Sequence, residues 1–465
     1  MRVLLTALNA KYVHSSLALA YLKAYCSKNG RSIQVREYTI NESIEDIMAS
    51  IYLAGPQVLC FSCYIWNIDR VLEICSDFKK VAPSTVIILG GPEVSHNSVE
   101  VMETNPSIDF IVKGEGEQTL DELLQMLEEG GTPNQVNGIT YREPGKIVDN
   151  PERQLIPVLD TIPFPYENIS RNYQNRIIYY ETSRGCPFNC SYCLSCTLKT
   201  LRYFSLERAK RDLAYLMKQE PETIKFVDRT FNCNEKRARE IMEFIILNRG
   251  NTKFHLEICA DLLSEPMLQF LQSVPPGVFD FEIGVQSTNP ATLEAVNRKS
   301  NWKRLSKNIR LLKEFGNIHL HLDLIVGLPF EDRDLFAMSF NDVYSLEPDV
   351  IQMGFLKILK GSDIEKCTEK YDYRYQAHPP YRILSNRWLS FGDVIELTKV
   401  EELLNRYYNT GMAKNTLRYI TGSLYNHDSF SFFYEFSVFW EQQNLYGFGH
   451  KKENEYSYLK RFIDH

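Results

Sequence analysis

The chain has 465 residues, of which 44% are hydrophobic and 24% charged, and a formal net charge of −7. These values are ordinary for a soluble globular protein with sizeable cores, and the acidic charge counts against binding driven mainly by nucleic-acid or membrane charge. No apolar run approaches the roughly 18–20 residues of a membrane span and no signal peptide is recognisable, so we expect no membrane contact and a cytoplasmic location.

Strand and helix patterns alternate over the first 130 residues. The predicted strands are Val3–Leu8, Ile33–Tyr38, Val58–Ser62, Val86–Leu89 and Ile108–Val112. Five βα units of this kind predict a doubly wound parallel sheet, whose ligands bind beyond the carboxyl ends of the strands. We assign residues 1–135 to this Rossmann-like domain and the proline-rich residues 136–175 to a hairpin and linker.

The alternation resumes at Arg176. The predicted strands are Ile177–Glu181, Thr223–Val227, Phe254–Ile258, Phe279–Val285, His319–Val326 and Asp349–Phe355. Six βα units predict a (β/α)6 partial TIM-type barrel over residues 176–360, with its chemistry at the carboxyl ends of the strands.

The remaining residues, 361–465, are rich in aromatic side chains and predict a mainly helical domain. In one segment the aromatic residues have the spacing of a single helix face; they are Phe432, Phe433, Phe436, Phe439 and Trp440. The pattern favours a helix that packs its aromatic face into a core, and a substrate pocket built from these rings is the alternative.

A cysteine-rich loop follows the first predicted barrel strand. Cys186, Cys190 and Cys193 have C-x3-C-x2-C spacing, and three thiolates can bind three irons of a cubane while the fourth iron stays open. The alternative is a zinc site, because Cys193 and Cys196 form one C-x2-C pair. A second such pair is missing, so the spacing favours iron and sulfur over zinc. The odd total of 11 cysteines disfavours a disulfide framework.

Several motifs in this region occur in a fixed order. They are C-P-F-N-C-S-Y-C at 186–193, F-E-I-G-V-Q-S at 281–287, L-E-A-V-N-R at 293–298, D-L-I-V-G-L-P at 323–329 and L-K-G-S at 359–362. Residues 176–360 thereby resemble the radical S-adenosylmethionine (SAM) superfamily. The resemblance implies a [4Fe–4S] cluster on the three cysteines and SAM as cofactor.

The resemblance also implies roles for individual residues. Arg184 and Gly185 would shape the cluster loop, and Arg298 would bind the methionine carboxylate of SAM. The full set of implied SAM contacts is Tyr192, Asp228, Glu257, Gln286, Arg298 and Asp323. The G-G-E-type motif of the superfamily is absent, and F-V-D-R-T-F-N at 226–232 stands in its place, so we assign Asp228 and Asn232 there. Cys196 is interpreted as a bystander, with an accessory thiol as the alternative.

A parallel sheet ahead of such a barrel resembles the architecture of the cobalamin-dependent branch of the superfamily. Three motifs support this resemblance: L-G-G-P-E at 89–93, G-E-G-E at 114–117 and P-F-P-Y at 163–166. The D-x-H-x-x-G motif is missing, with Lys11 at the position of the ligand histidine, so His14 is not expected to bind cobalt. The implied cobalamin contacts are Asn9, Lys11, Tyr12, Ser62, Tyr64, Trp66, Gly90, Gly91, Pro92, Glu93, Gly114 and Glu115. The alternative is a degenerate sheet that binds no corrin; a nucleotide site is disfavoured because no phosphate-binding loop is present.

The resemblance implies an enzyme that generates a 5′-deoxyadenosyl radical and methylates an unactivated carbon with the help of cobalamin. A rearrangement or redox reaction without methyl transfer is the alternative reaction, and a corrin-binding regulator is the non-enzymatic one. A flavodoxin- or ferredoxin-type reductant is the expected partner. A small molecule, a peptide and a tRNA nucleoside all remain open as substrate, although the acidic charge and the lack of an RNA-binding module count against tRNA.

Overall fold

The computed structural model describes residues 1–167, 176–197, 200–447 and 449–464, apart from the side chains of Cys196 and Thr197. Helices within these ranges are all too short or too polar to cross a membrane. The chain forms two parallel sheets, each covered by helices, and a C-terminal set of helices that packs on the second sheet.

The N-terminal sheet has the order β2-β1-β3-β4-β5-β6-β7. Its strands are β1 Val3–Asn9, β2 Ile33–Thr39, β3 Val58–Ser62, β4 Val86–Gly90, β5 Phe110–Val112, β6 Ile139–Glu143 and β7 Lys146–Asp149. Its helices are α1 Leu17–Lys28, α2 Ile44–Ala54, α3 Ile68–Val81, α4 Pro92–Ser95, α5 Ser98–Thr104 and α6 Gly116–Glu129. β1 to β5 are parallel, so the order reverses between β1 and β3, where doubly wound sheets bind their ligands.

Helices on both faces of this sheet explain the apolar character of its strands. Every residue of β1 is buried, because parallel sheets of this type are covered on both sides. The serines Ser16 and Ser43 cap α1 and α2 by accepting hydrogen bonds from backbone amides of the first turn. A hairpin lies within the predicted range 136–175: β6 and β7 pair in antiparallel fashion and extend the sheet beyond β5.

The second sheet is parallel and has the order β15-β14-β13-β12-β11-β8. Its strands are β8 Ile178–Tyr180, β11 Thr223–Phe226, β12 Lys253–Ile258, β13 Phe279–Gln286, β14 His319–Val326 and β15 Val350–Phe355. Its helices are α7 Leu206–Met217, α8 Glu235–Asn248, α9 Glu265–Gln272, α10 Pro290–Ala295, α11 Trp302–Phe315 and α12 Arg333–Tyr344. A short antiparallel ribbon, β9 Ser183–Arg184 and β10 Arg202–Tyr203, flanks the cysteine loop.

Burial alternates strictly along β13 and β14, as expected for strands with one face on the helices and one toward the barrel interior. The outward residues form the core between sheet and helices. The inward residues are polar, and they include His255, Glu257, Glu282, His321 and Asp323. The interior of this partial barrel is therefore a polar space that can receive a charged ligand.

The C-terminal residues form α13 Thr368–Tyr371, the ribbon strands β16 Arg374–Tyr375 and β17 Ile383–Ser385, α14 Phe391–Leu403, α15 Lys414–Tyr419, α16 Ser429–Gln442 and α17 Lys452–Ile463. The aromatic face of α16 packs on α12, where the ring of Phe340 lies 5.7 Å from Phe430 and 5.9 Å from Phe433. This core is continuous with the barrel core. The aromatic stripe is thus packing surface, and no part of it lines the cleft described below.

Candidate active site

A cleft of about 1040 Å³ lies where the carboxyl ends of the two parallel sheets face each other. The N-terminal domain contributes the loops that follow β1, β3, β4 and β5, and the barrel contributes the end of β8, the start of the cysteine loop and Arg229 after β11. Its volume is at the upper end of the ~300–1,000 Å³ usual for ligand pockets. The cleft therefore has room for a bulky ligand in contact with both domains.

Most of the predicted cobalamin contacts line this cleft. They are Asn9, Ser62, Tyr64, Trp66, Gly90, Gly91, Pro92, Gly114 and Glu115. Three others lie elsewhere. Lys11 and Tyr12 are exposed, and the guanidinium of Arg176 covers the Tyr12 ring at 4.6 Å. Glu93 is buried and accepts a hydrogen bond of 3.0 Å from Tyr381. These three residues lie on the predicted loops but are not among those that line the cleft.

The aromatic pair in the loop after β3 presents a flat surface. The rings of Tyr64 and Trp66 stack at 4.5 Å with an angle of 4°, and Trp66 remains 45% exposed. The indole nitrogen of Trp66 donates to the Leu8 carbonyl at 3.1 Å, which fixes the ring orientation. A fixed, half-exposed aromatic face suits a large, flat and partly apolar ligand such as a corrin.

Gly91 must be a glycine because of a close approach between two loops. Its φ is +111°, and a Cβ at this position would lie 2.4 Å from the Cys63 carbonyl oxygen, so there is no room for a side chain. Gly91 also lines the cleft.

The cysteine loop begins and ends at the β9–β10 ribbon, in which Arg184 pairs with Arg202. The thiol of Cys190 is buried, whereas Cys186 and Cys193 are partly exposed. Burial raises the pKa of Cys186, and the neighbouring thiols Cys193 and Cys190 contribute in the same direction. Three interacting thiols on one loop are a suitable donor set for an iron–sulfur cluster. In this structure the described His, Cys, Asp and Glu side chains, these thiols included, are not assembled into a group of three that could hold a metal ion, so the cluster assignment rests on the chemistry and spacing of the thiols.

The middle of the loop is anchored to the barrel. The Ser191 amide donates to the Val296 carbonyl at 2.9 Å, and the Ser191 carbonyl accepts from the Ile364 amide at 2.8 Å. Arg298 lies over the Phe188 ring at 5.8 Å and its Nη1 is 3.9 Å from the Cys190 sulfur. Burial raises the pKa of the nearby Tyr192 well above its ordinary value. These contacts place Tyr192 and Arg298 beside the predicted cluster.

Two of the predicted SAM contacts have buried polar atoms without a hydrogen-bond partner, Oε1 of Gln286 and Nε of Arg298, and the buried Oδ1 of Asp323 lies 3.3 Å from Nε2 of His321. Burial raises the pKa of Asp323 well above its ordinary value, and the carboxylates of Glu282 and Glu257 add to this effect. Buried polar groups are costly unless they are paired. Together the three groups fit a ligand that carries both a cationic amine and a carboxylate, as SAM does.

A second polar cluster lies deeper in the barrel. Glu282 accepts from Lys225 at 2.9 Å and is 2.6 Å from Nε2 of His255. Burial alone would raise the pKa of Glu282, but His255 and Lys225 outweigh it and lower the pKa to about 2. Glu257 lies above this cluster, 3.9 Å from Arg229, and burial raises its pKa.

Asp228 and Asn232, by contrast, have internal partners. Asp228 accepts from the Thr182 amide and hydroxyl at 2.8 and 2.7 Å and from the Ser183 hydroxyl at 2.5 Å. Asn232 bridges the amide and carbonyl of Cys259 at 2.9 and 2.8 Å. Both side chains hold loops around the site in place, and their hydrogen-bonding capacity is largely used.

Several cleft residues were missed by the sequence analysis. His14 lines the cleft and its Nδ1 lies 2.7 Å from the Tyr179 hydroxyl, which joins the two domains. Burial, followed by the charges of Lys11 and Lys225, lowers the pKa of His14. His96 and Arg229 also line the cleft. His14 lies beside the missing D-x-H-x-x-G motif and Arg229 lies within F-V-D-R-T-F-N, but neither segment assigned them a contact, and no motif marks His96.

Comparisons with known proteins agree with this arrangement. Residues 3–124 match the B12 binding domain, residues 180–343 match the radical SAM superfamily, and residues 369–465 match a domain described as a protein of unknown function. The chain is 29% identical over 319 residues to the cobalamin-dependent radical SAM methyltransferase TokK of Streptomyces tokunonensis. The aligned region covers 62% of this chain and 44% of the relative.

Another relative, an uncharacterised methyltransferase of Pyrococcus horikoshii, is 29% identical and covers 72% of this chain and 74% of its own length. Among solved structures, the cobalamin-dependent SAM radical enzyme OxsB with aqua-cobalamin bound has a TM-score of 0.72 at 18% identity, covering 100% of this chain and 75% of that chain. At this identity the likeness concerns the fold. The chain spans less than half the length of the first of these relatives.

Proposed function

We propose that this chain, which by its two domains is a cobalamin-dependent radical SAM enzyme, methylates an unactivated carbon of its substrate. The observation that carries the proposal is the shared cleft, which has the predicted corrin loops on one wall and the start of the cysteine loop on the other. When bound, the cluster with SAM supplies a 5′-deoxyadenosyl radical and the corrin supplies a methyl group.

The residues of the chain would bind and orient these groups. Cys186, Cys190 and Cys193 would hold the cluster, and the buried polar groups of Gln286, Arg298 and Asp323 would pair with SAM. The Tyr64–Trp66 stack and the glycine-containing loops would receive the corrin. We assign corrin binding to residues 1–135 and the binding of cluster and SAM to residues 176–360. Residues 361–465 form the helical domain that packs against the barrel.

The reaction also requires an electron from outside the chain, for which we propose a flavodoxin- or ferredoxin-type partner. Such reductants and free thiols belong to a reducing compartment, so we place the reaction in the cytoplasm.

The experiment that tests the proposal supplies SAM with a deuterated methyl group to reconstituted enzyme, reductant and candidate substrates. Methyl transfer predicts that S-adenosylhomocysteine and 5′-deoxyadenosine both accumulate and that the label enters the product. Product and 5′-deoxyadenosine without label or S-adenosylhomocysteine would show a rearrangement or redox reaction instead. A mass spectrum of the product distinguishes the two.

A further inference from the structure

Both ends of the cysteine loop are tied to a single residue of the N-terminal domain. The loop leaves the ribbon at Arg184 and returns to it at Arg202, and these two residues are paired in the ribbon. Nη1 of Arg184 lies 3.3 Å from Oε1 of Glu115, and Nη2 of Arg202 lies 2.7 Å from the same oxygen. Nη1 of Arg202 also donates to Oε2 of Glu115 at 3.0 Å.

Further contacts hold this arrangement in one geometry. Arg184 pairs with Glu117 at 2.5 Å and with Glu181 at 2.8 Å, and Arg202 donates to the Ile156 carbonyl at 2.6 Å. The Ile156 amide in turn donates to Glu115 at 2.9 Å. Side chains of Arg184, Arg202 and Glu115 are only 11–12% exposed, so these charges are far better shielded from solvent than ordinary surface pairs.

Electrostatics support a permanently charged Glu115. Burial alone would raise its pKa, but the hydrogen bond from Arg202 and the charge of Arg184 outweigh burial and the pKa lies below its ordinary value. Glu115 also immediately precedes α6, whose N-terminus favours a negative charge. A charged carboxylate held by two guanidinium groups defines one position for the loop relative to the sheet.

Glu115 lies in the loop after β5 and lines the cleft, where the sequence had assigned it to cobalamin. Its carboxylate is nevertheless engaged by the barrel. We propose that Glu115 is a positioning residue that couples the two cofactor sites: it joins the corrin loop to both ends of the cluster loop, so that filling one site favours filling the other. This inference rests on the proposed function.

The coupling can be measured by binding alone, without turnover. The dissociation constant of hydroxocobalamin is determined for the full chain with and without its reconstituted cluster. We expect the cluster to tighten binding by about tenfold in the unmodified chain, within the usual range of coupling between sites. In Glu115→Gln the two dissociation constants should become equal, even if both are weaker than in the unmodified chain.

Two further variants make the result specific. Glu128 lies on α6, the helix that begins directly after Glu115, but it does not line the cleft and it pairs with Arg31. Glu128→Gln therefore removes a comparable acidic group and should keep the tenfold ratio. Arg202→Gln removes one of the two guanidinium groups that hold Glu115 and leaves Arg184 in place, so it should reduce the ratio without abolishing it. The double variant should behave as Glu115→Gln alone, because neither arginine has its carboxylate partner once Glu115 is replaced.

The outcomes separate this inference from the function on which it rests. A Glu115→Gln chain that binds hydroxocobalamin and keeps the full ratio would overturn the coupling role. So would equal dissociation constants in the unmodified chain. Failure of the cluster-loaded unmodified chain to bind hydroxocobalamin would overturn the proposed function and, with it, the coupling.

Discussion

The cysteines of the loop differ in exposure, Cys190 being buried and the other two partly exposed. We expect anaerobically reconstituted protein to be brown, with about four irons and four sulfides per chain, as a cubane requires. Replacing Cys186, Cys190 and Cys193 together by alanine should remove the iron, because they are the predicted ligands of the cluster. Iron and sulfide analysis with an absorbance spectrum measures this.

Cys196→Ala is the matched control for that experiment, since this residue belongs to the same loop and is interpreted as a bystander to the three cluster cysteines. Its iron content should equal that of the unmodified chain. Stoichiometric zinc without charge-transfer absorbance in the unmodified chain would contradict the cluster assignment.

Glu331 is a buried carboxyl group away from the cleft. Its Oε1 accepts hydrogen bonds from Ser287 at 2.6 Å and Ser339 at 2.9 Å, while Oε2 is buried without a partner. Burial raises the pKa of Glu331 to about 7, although the two serine hydroxyls oppose the shift. Because this folded-state pKa is above the unfolded value of 4.5, the folded protein keeps a proton that the unfolded chain releases between these pH values.

The contribution of Glu331 to the free energy of unfolding should therefore fall as pH rises from about 4.5 to 7 and stay constant above that range. Glu331→Gln, which cannot ionise, should lack this decline. By pH 8 it should be more stable than the unmodified chain by up to about 3 kcal/mol, at about 1.4 kcal/mol per pKa unit. Calorimetric scans between pH 5 and pH 8 measure the difference; equal slopes in the two proteins would contradict the prediction.

At the scale of single residues, the sequence predicted most of the cobalamin contacts that line the cleft but not the partners that hold other predicted residues elsewhere. Spacing located the cysteines, and strand ends located Asn9, Tyr64 and Gly114 at the cleft. The orientation of Asp228 and Glu93 depends on partners far away in sequence, Thr182 and Tyr381. The contacts of Glu115 with Arg184 and Arg202 span 69 and 87 residues, a separation at which pattern analysis has no signal.

Helix α16 is the element whose role the sequence left between packing and substrate binding. Phe433 and Phe436 are fully buried on its aromatic face, whereas Val438 on the same helix is exposed. Phe436→Ala should cost about 3–5 kcal/mol of unfolding free energy through the lost contacts and the cavity left behind. Binding of SAM and hydroxocobalamin should be unchanged in the folded fraction, because α16 does not line the cleft.

Val438→Ala serves as control and should change stability by less than about 0.5 kcal/mol, as surface substitutions usually do. Thermal unfolding and the two binding assays measure both variants. A Phe436→Ala chain of normal stability that failed to bind substrate would favour the pocket interpretation that the packing opposes.

Strands were the most predictable elements because a period of two and β-branched runs mark them directly. β3 and β14 have the bounds that the sequence predicts, whereas β13 runs on to Gln286 through an irregular register after Gly284. Gln286 has a φ of +72°, a conformation set by the surrounding site and not by its own preference. The pairing of β6 with β5 could not be predicted either, since it joins a hairpin to an existing sheet edge.

For the whole molecule, the order of domains followed from the βα rhythm, but the way they join did not. The C-terminal helices share their core with the barrel, and the segment after β15 reaches back to the N-terminal domain. There, Gly361 meets His96, a residue that lines the cleft. Interfaces of this kind bring together residues hundreds of positions apart, for which one sequence holds no periodic signal.

Gly361 supplies a test of whether this contact shapes the cleft. Its φ is +82°, and a Cβ would lie 2.2 Å from Cγ of His96, so Gly361→Ala must displace the imidazole ring. We expect weaker binding of hydroxocobalamin by about tenfold, a change well within what a displaced pocket residue costs. The left-handed backbone should add a loss of about 1–2 kcal/mol in stability.

Two variants separate the clash from the strain. Gly250→Ala has a similar strain, with a φ of +58°, but a Cβ there would have nothing within 4 Å. It should lose stability and keep its affinity for hydroxocobalamin. The double variant His96→Ala/Gly361→Ala makes room for the new methyl group, so its affinity should return to that of His96→Ala alone while the stability loss persists. If the double variant bound no better than Gly361→Ala, the ring of His96 would not be what transmits the contact to the cleft.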